Sequence, residues 1–234
     1  MRSIWRTVDA RLGSRLARDI ALVILADGLV GVSFGAIAVG DGFPIWVPMA
    51  LSIVVFGGAS QFMFIGVLAA GGALVPAVLA GLLVNARHLP FGFAVADVLG
   101  SSLRNRVFGS HVMIDETVAF ALAQRDPARR RAAYWTCGVG LFIAWNLGVL
   151  IGAGAGTVIT DTDAFGLDAA FPAVLLALVL PSLRERRTLT AAVIGMAIAI
   201  GLAPYLPAGL PVLLALVGVA VCKPVAPQRA EEAA

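Results

Sequence analysis

The sequence is short of charge. Aspartate, glutamate, lysine and arginine make up 13% of the 234 residues, and 60% are hydrophobic. A soluble domain of this length carries about one quarter charged residues. The apolar runs are also too many and too long to hide inside one globule, which excludes an ordinary soluble fold and predicts a polytopic membrane protein. A membrane β-barrel would show stretches of roughly ten residues alternating apolar with polar. The runs here are continuous, so the predicted class is all-α. Cysteine is scarce: Cys137 and Cys222 stand at the edges of apolar segments, with no C-x-x-C and no Cys/His cluster, so neither a redox motif nor a metal site is expected. His88 and His111 are the only histidines, and with no H-E-x-x-H an embedded enzyme is not expected. No G-x-x-x-x-G-K-[ST] occurs, which excludes a phosphate-cradling loop of that kind. No cofactor is implied. The net charge of +3 comes from arginines gathered in a few loops, so no extended basic surface is available for nucleic acid.

What is present is arginine in blocks. Residues 1–19 carry Arg2, Arg6, Arg11, Arg15 and Arg18 between Ile4, Trp5, Val8, Leu12 and Leu16. The near-helical spacing predicts an amphipathic segment on the inner membrane surface rather than a cleaved signal peptide. Further arginines fall at 104, 106, 125, 129–131, 184, 186 and 187, with Lys223 and Arg229 in the tail. Acidic or neutral loops lie around Asp41, around Asp161, Asp163 and Asp168, and around Pro204. The excess of positive charge on cytoplasmic loops places the first set inside and the second outside. Both termini are then cytoplasmic and the number of crossings is even. A single transport domain is expected over 20–222, between the segment 1–19 and a cytoplasmic tail 223–234. Membrane segments are expected near 20–40, 45–70, 73–86, 89–100, 133–155, 169–183, 188–203 and 206–222. That makes six to eight, according to whether 73–100 is re-entrant or crosses twice. Its two pieces are about a dozen residues each, or roughly 18 Å of helix, short of a hydrocarbon core about 30 Å thick.

Within these runs some polar residues have no use in a plain spanning helix. FGGASQFMFIG, residues 56–66, places Gly57, Gly58, Ser60 and Gln61 in the middle of one. The glycine pair lets the backbone leave helical geometry, and the freed amides and carbonyls must then face protein or a water-filled cavity. A helix is therefore expected to break within 57–60, with Ser60 capping the next half-helix toward a bound solute. The alternative is a small-residue packing face with one buried amide bonded to a neighbouring helix. Asp27, Asn85, Arg87, His88, Asp97, Asp115 and Glu116 also lie in or beside apolar sequence, where each ionisable group costs about 3 kcal/mol and asks for a reason. Interfacial turns and solvated faces are the competing explanations. Asp115, Glu116 and Asp27 are candidates for a proton-coupling site. Asp115 and Glu116, being adjacent on a helix, are not expected to face one cavity equally. For Trp145–Asn146 an interhelical hydrogen bond is expected, and for Gly152, Gly154 and Gly156 close helix packing.

FGGASQFMFIGVLAAGG, then LLVNARHLPFGFA, then HVMIDETVAFALA resemble the AzlC family of branched-chain amino acid permeases. G-A-S-Q, N-x-R-H and D-E-x-x-A fall in the family's order, and the resemblance covers nearly the whole chain, most specifically its first 125 residues. Pro90 departs from the pattern and alters the turn after His88. The resemblance implies an inner-membrane exporter of branched-chain amino acids working with a small membrane subunit of the AzlD type. A substrate site is expected at Gly57, Gly58, Ser60, Gln61, Asn85, Arg87 and His88, with Phe56, Phe62, Met63 and Phe64 around the side chain. A channel or a non-transporting scaffold subunit remains the alternative reading.

Overall fold

The computed structural model describes residues 12–158, 176, 180, 182–206 and 210–221. The tail and most of 159–181 fall outside it, as do the first eleven residues. Every regular element among the described residues is helical, as expected of an all-α membrane protein. Three helical segments are long and apolar enough to cross a bilayer: Ser14–Gly40, Leu74–Ala94 and Pro127–Gly156. Shorter apolar helices fill the spaces between them.

The first of these, α1 (Ser14–Gly40), begins inside the arginine-rich segment, so residues 14–19 are the first turns of a crossing helix. Leu12, Leu16 and Ala17 are buried against the core. Chain order continues with α2 (Trp46–Val54), α3 (Gly58–Ala69), α4 (Leu74–Asn85), α5 (His88–Ala94), α6 (Ala96–Leu99), α7 (Leu103–His111), α8 (Asp115–Leu122) and α9 (Pro127–Gly156). After these come a 3₁₀ turn at Ser182–Arg184 and then α10 (Arg186–Leu202), α11 (Leu210–Leu214) and α12 (Val217–Val221).

α1 and α9 form the frame, and glycine sets their separation. Cβ atoms built at Gly31 and Gly156 would lie 2.8 Å from the carbonyl oxygen of Trp145 and 2.9 Å from that of Ala36. At Gly35, Gly148 and Gly152 they would run into the facing backbone itself. Such small-residue seams let helices in lipid gain dispersion contacts along their backbones. Gly154, in the same G-A-G-A-G run, has none of the described residues near it and faces away from α1. The contacts advance in one direction, with Gly13 beside Arg129, Gly28 beside Ala144 and Gly156 beside Ala36. The two helices therefore run parallel. Both start at an end rich in arginine, where Arg130 reaches the Ala94 carbonyl at 2.6 Å and Asp97 at 3.3 Å.

The expected discontinuities are present, and the structure shows what they are for. Residues 46–69 do not cross. α2 descends beside α9, with Ser52 bonded to Asn146 and Phe56 packed on Phe142. The chain reverses at 55–57, and α3 climbs back until the Gln61 side chain bonds the Leu51 carbonyl at 3.2 Å. Two residues ten apart on one straight helix would be roughly 15 Å apart. Phe56 takes a positive φ of 41° and Gly57 is extended. The break thus sits slightly earlier than residues 57–60.

Residues 73–100, by contrast, do not turn back. Ala86 and Arg87 keep right-handed helical dihedrals, so α4 and α5 form one kinked crossing from the far end to the arginine end. The second hairpin is α7 and α8. It leaves the arginine end, where Gly100 lies beside Arg131, reaches Gly138 at the level of Val112 and Thr117, and returns to Pro127. Residues 103–122, which fall between the expected membrane segments, therefore form a hairpin buried at its tip. The two hairpins enter from opposite ends and their tips meet, with His111 Nε2 2.8 Å from the Ile53 carbonyl oxygen.

Candidate functional site

The three long helical segments and the two hairpin tips come together at one place. A cavity of about 80 Å³ lies where the hairpin tips meet, room for several waters. α1 contributes Asp27 and Val30, the first tip Phe56, Gly57, Gly58, Ala59 and Phe62, and the kink after α4 contributes Arg87. The second tip supplies Ile114, Asp115 and Glu116, and α9 supplies Leu141 and Trp145.

The chain builds the tips by satisfying what a broken helix leaves open. The Ile53 carbonyl, in the last turn of α2, is met by the His111 ring. Leu51, whose carbonyl already accepts the Val55 amide at 2.9 Å, also receives Gln61 Nε2. Gln61 is fully buried, and its Oε1 accepts from Trp145 Nε1 at 3.1 Å. Gln61 therefore serves the architecture and does not line the cavity. Ser60, expected as a cap, sits one turn inside α3; its hydroxyl donates to the Gly57 carbonyl at 2.7 Å. The residue before the helix is Gly57, so the amides of Gly58, Ala59 and Ser60 begin α3 at the cavity wall. Both glycines are needed there. A Cβ on Gly58 would meet the Trp145 ring at 2.9 Å, and one on Gly57 would meet Asn85 Oδ1 and Ser60 Oγ at 2.9 Å.

The second tip starts α8 on the opposite wall. Thr117 is fully buried and caps it, accepting from the Ile114 amide at 2.9 Å and donating to the Ile114 carbonyl at 2.7 Å. Asp115 and Glu116 occupy the first turn, where the helix dipole favours negative charge. Both line the cavity, contrary to the expectation that adjacent residues would diverge, because a helix that starts at the wall presents its whole first turn. Asp115 Oδ2 is 2.9 Å from Arg87 Nη2, and the two side chains are each 36% exposed. Arg87 Nε is buried and has no hydrogen-bond partner among the described residues; the same holds for Asn85 Oδ1.

Of the residues singled out by sequence, the structure gathers Asp27, Gly57, Gly58, Arg87, Asp115 and Glu116 onto one surface. Asn85 packs behind Gly57, and His88 turns back to the Asn85 carbonyl at 2.8 Å. Asp97 pairs with Arg130 at the arginine end. Trp145 and Asn146 make the expected interhelical bonds, and Trp145 is also a cavity wall. His111 was noted only as a residue type. Its place between the tips depends on a contact 58 residues away in sequence. Gly31-Val32-Ser33-Phe34-Gly35 has the G-x-S-x-G spacing, but it lies inside α1, its glycines pack on α9, and Ser33 bonds its own helix. It is not a nucleophile turn. Among the described residues no group of three metal-binding side chains occurs.

The profile of the AzlC protein family matches residues 23–159, which includes every residue lining this cavity. The chain belongs to the AzlC family. An uncharacterized membrane protein of Archaeoglobus fulgidus is 30% identical over 180 residues, 76% of this chain and 78% of its own length. The inner membrane protein YgaZ of Escherichia coli is 27% identical over 191 residues, 76% of this chain and 77% of that one. The branched-chain amino acid transport protein AzlC of Bacillus subtilis is 22% identical over 174 residues, covering 73% and 68%. No solved structure matches the chain. This AzlC-family chain is a membrane protein of a transport family, and its cavity lies within the part that defines the family.

Proposed function

We propose that this chain is a secondary transporter that exports branched-chain or other small apolar amino acids across the inner membrane. One observation carries the reading: two half-helices from opposed hairpins begin at a single cavity that also holds Asp27, Asp115, Glu116 and Arg87. An amino acid needs donors for its carboxylate, acceptors for its ammonium and an apolar place for its side chain. The α3 amides and Arg87 supply the first, the acidic residues the second, and Phe56, Phe62, Ile114 and Leu141 the third. The substrate class follows the name of the Bacillus subtilis relative. With no nucleotide motif in the sequence, the driving force is an ion or solute gradient, and Asp27, Asp115 and Glu116 are the groups we assign to proton coupling. The arginine end is the cytoplasmic one, with both termini there, and a small subunit of the AzlD type completes the transporter.

The test is efflux of a panel of labelled amino acids from cells with and without this chain, with the small subunit co-expressed. Faster, saturable efflux of leucine, isoleucine and valine is expected. Flux that does not saturate would make the protein a channel, and no flux with the subunit present would make it a scaffold. With uphill export and exchange measured separately, Glu116→Gln is expected to lose uphill export while retaining exchange.

A further inference from the structure

We infer that the Arg87–Asp115 ion pair is the device that selects a zwitterion, and that substrate binds by replacing it. The inference rests on the transport reading above and adds the basis of its selectivity. The pair spans the cavity wall from the kink after α4 to the start of α8, at 2.9 Å. It is neither buried away from the cavity nor out in solvent, since both side chains line the space and each is 36% exposed. The guanidinium also has capacity to spare. Its Nη2 meets Asp115, while Nε is buried with no partner among the described residues. The Nε–Nη2 edge is the fork that binds a carboxylate with two parallel hydrogen bonds.

A zwitterion entering between the two charges exchanges one ion pair for two. Its carboxylate takes Arg87 and its ammonium takes Asp115, and the net charge of the site is unchanged. An amine without a carboxylate leaves Arg87 unpaired at the cavity wall, and an acid without an ammonium leaves Asp115 unpaired. Once the solute has displaced the cavity water, a charge left stranded beside it is costly, so both half-molecules are rejected although each fits the same apolar lining. Parting the pair also uncouples the kink of the α4–α5 crossing from the tip of the second hairpin. Occupancy is thereby linked to the freedom of that hairpin to move.

The experiment uses proteoliposomes holding the full chain with its small subunit, and measures leucine counterflow. Competitors are 3-methylbutylamine and 4-methylpentanoate, which share the leucine side chain and carry one charge each. In the wild type, unlabelled leucine is expected to compete at least about tenfold better than either half-molecule. Asp115→Asn is expected to weaken leucine and turn 4-methylpentanoate into a competitor, because Arg87 is freed. Arg87→Gln is expected to weaken leucine and turn 3-methylbutylamine into a competitor. Arg87→Lys keeps the wild-type order of competitors with reduced leucine affinity. Equal competition by leucine and either half-molecule in the wild type overturns the inference without need of a variant. Folded single variants with unchanged competitor order overturn it as well. Should the wild type show no saturable leucine counterflow, the transport reading falls and this inference falls with it; saturable counterflow with unselective competition removes the inference alone.

Discussion

Gln61 shows how far a single residue can be read. Its depth in the membrane was legible, because an amide in the middle of FGGASQFMFIG has no place in a plain spanning helix. Its role was not legible from spacing. A shift of one position turns a side chain by about 100° around a helix, and Phe62 faces the cavity while Gln61 points back to Leu51 and Trp145. Replacing Gln61 by leucine leaves the buried Trp145 indole N–H without its partner, while the Leu51 carbonyl keeps the Val55 amide. An orphaned buried group costs about 1–3 kcal/mol. Gln61→Leu is therefore expected to lower the thermal unfolding temperature of the detergent-purified protein by several degrees, while competitor order in leucine counterflow stays that of the wild type. An unchanged unfolding temperature would show that these bonds do not hold the tip together.

At the scale of elements, the glycine pair announced a break and the break is there, but sequence could not say which way the chain goes next. A half-helix that continues across and one that doubles back have the same composition. The long-range bonds decide it: Gln61 to Leu51 in the first hairpin, and the placement of Gly138 against Val112 and Thr117 in the second. The second hairpin was further hidden by Arg104 and Arg106 on its outer arm, which make that arm look like a soluble loop. The reversal has a direct topological consequence. If residues 46–69 double back, Asp41 and Ala73, both exposed, lie on one side of the membrane and the exposed Arg125 on the other. Single cysteines at these positions, in a background with Cys137 and Cys222 replaced by alanine, are to be labelled with an impermeant maleimide. In intact cells we expect labelling at 41 and 73 and none at 125 until the cells are permeabilised. Labelling of 41 and 73 from opposite sides would mean that residues 46–69 cross the membrane.

The whole molecule depends on the seam between α1 and α9, since both hairpins pack against that pair and the kinked crossing packs in turn on α3 of the first hairpin. Sequence offered G-A-G-A-G at 152–156 as a packing surface without saying which glycines touch. Residues two apart on a helix lie about 200° apart in rotation, so Gly152 and Gly154 cannot serve the same neighbour. Gly152 meets the backbone of Val32, whereas Gly154 has no atom of another element within 4 Å among the described residues. The obstruction at Gly152 is main chain, which has no rotamer to yield. A larger side chain there must push the two long helices apart, and the displacement carries through Trp145 to the Gly58 wall and through Asp27 to the cavity. Overpacking a core usually costs about 1–3 kcal/mol when side chains can adjust, and a backbone obstruction belongs at or above the upper end of that range. Gly152→Leu is therefore expected to abolish the monodisperse peak of the protein in size-exclusion chromatography and its transport together. Gly154→Leu, adding the same bulk two residues away, is expected to keep both, because its side chain meets nothing among the described residues. Equal behaviour of the two variants, whether both fold or both fail, would mean that the close parallel approach of α1 and α9 does not set the frame.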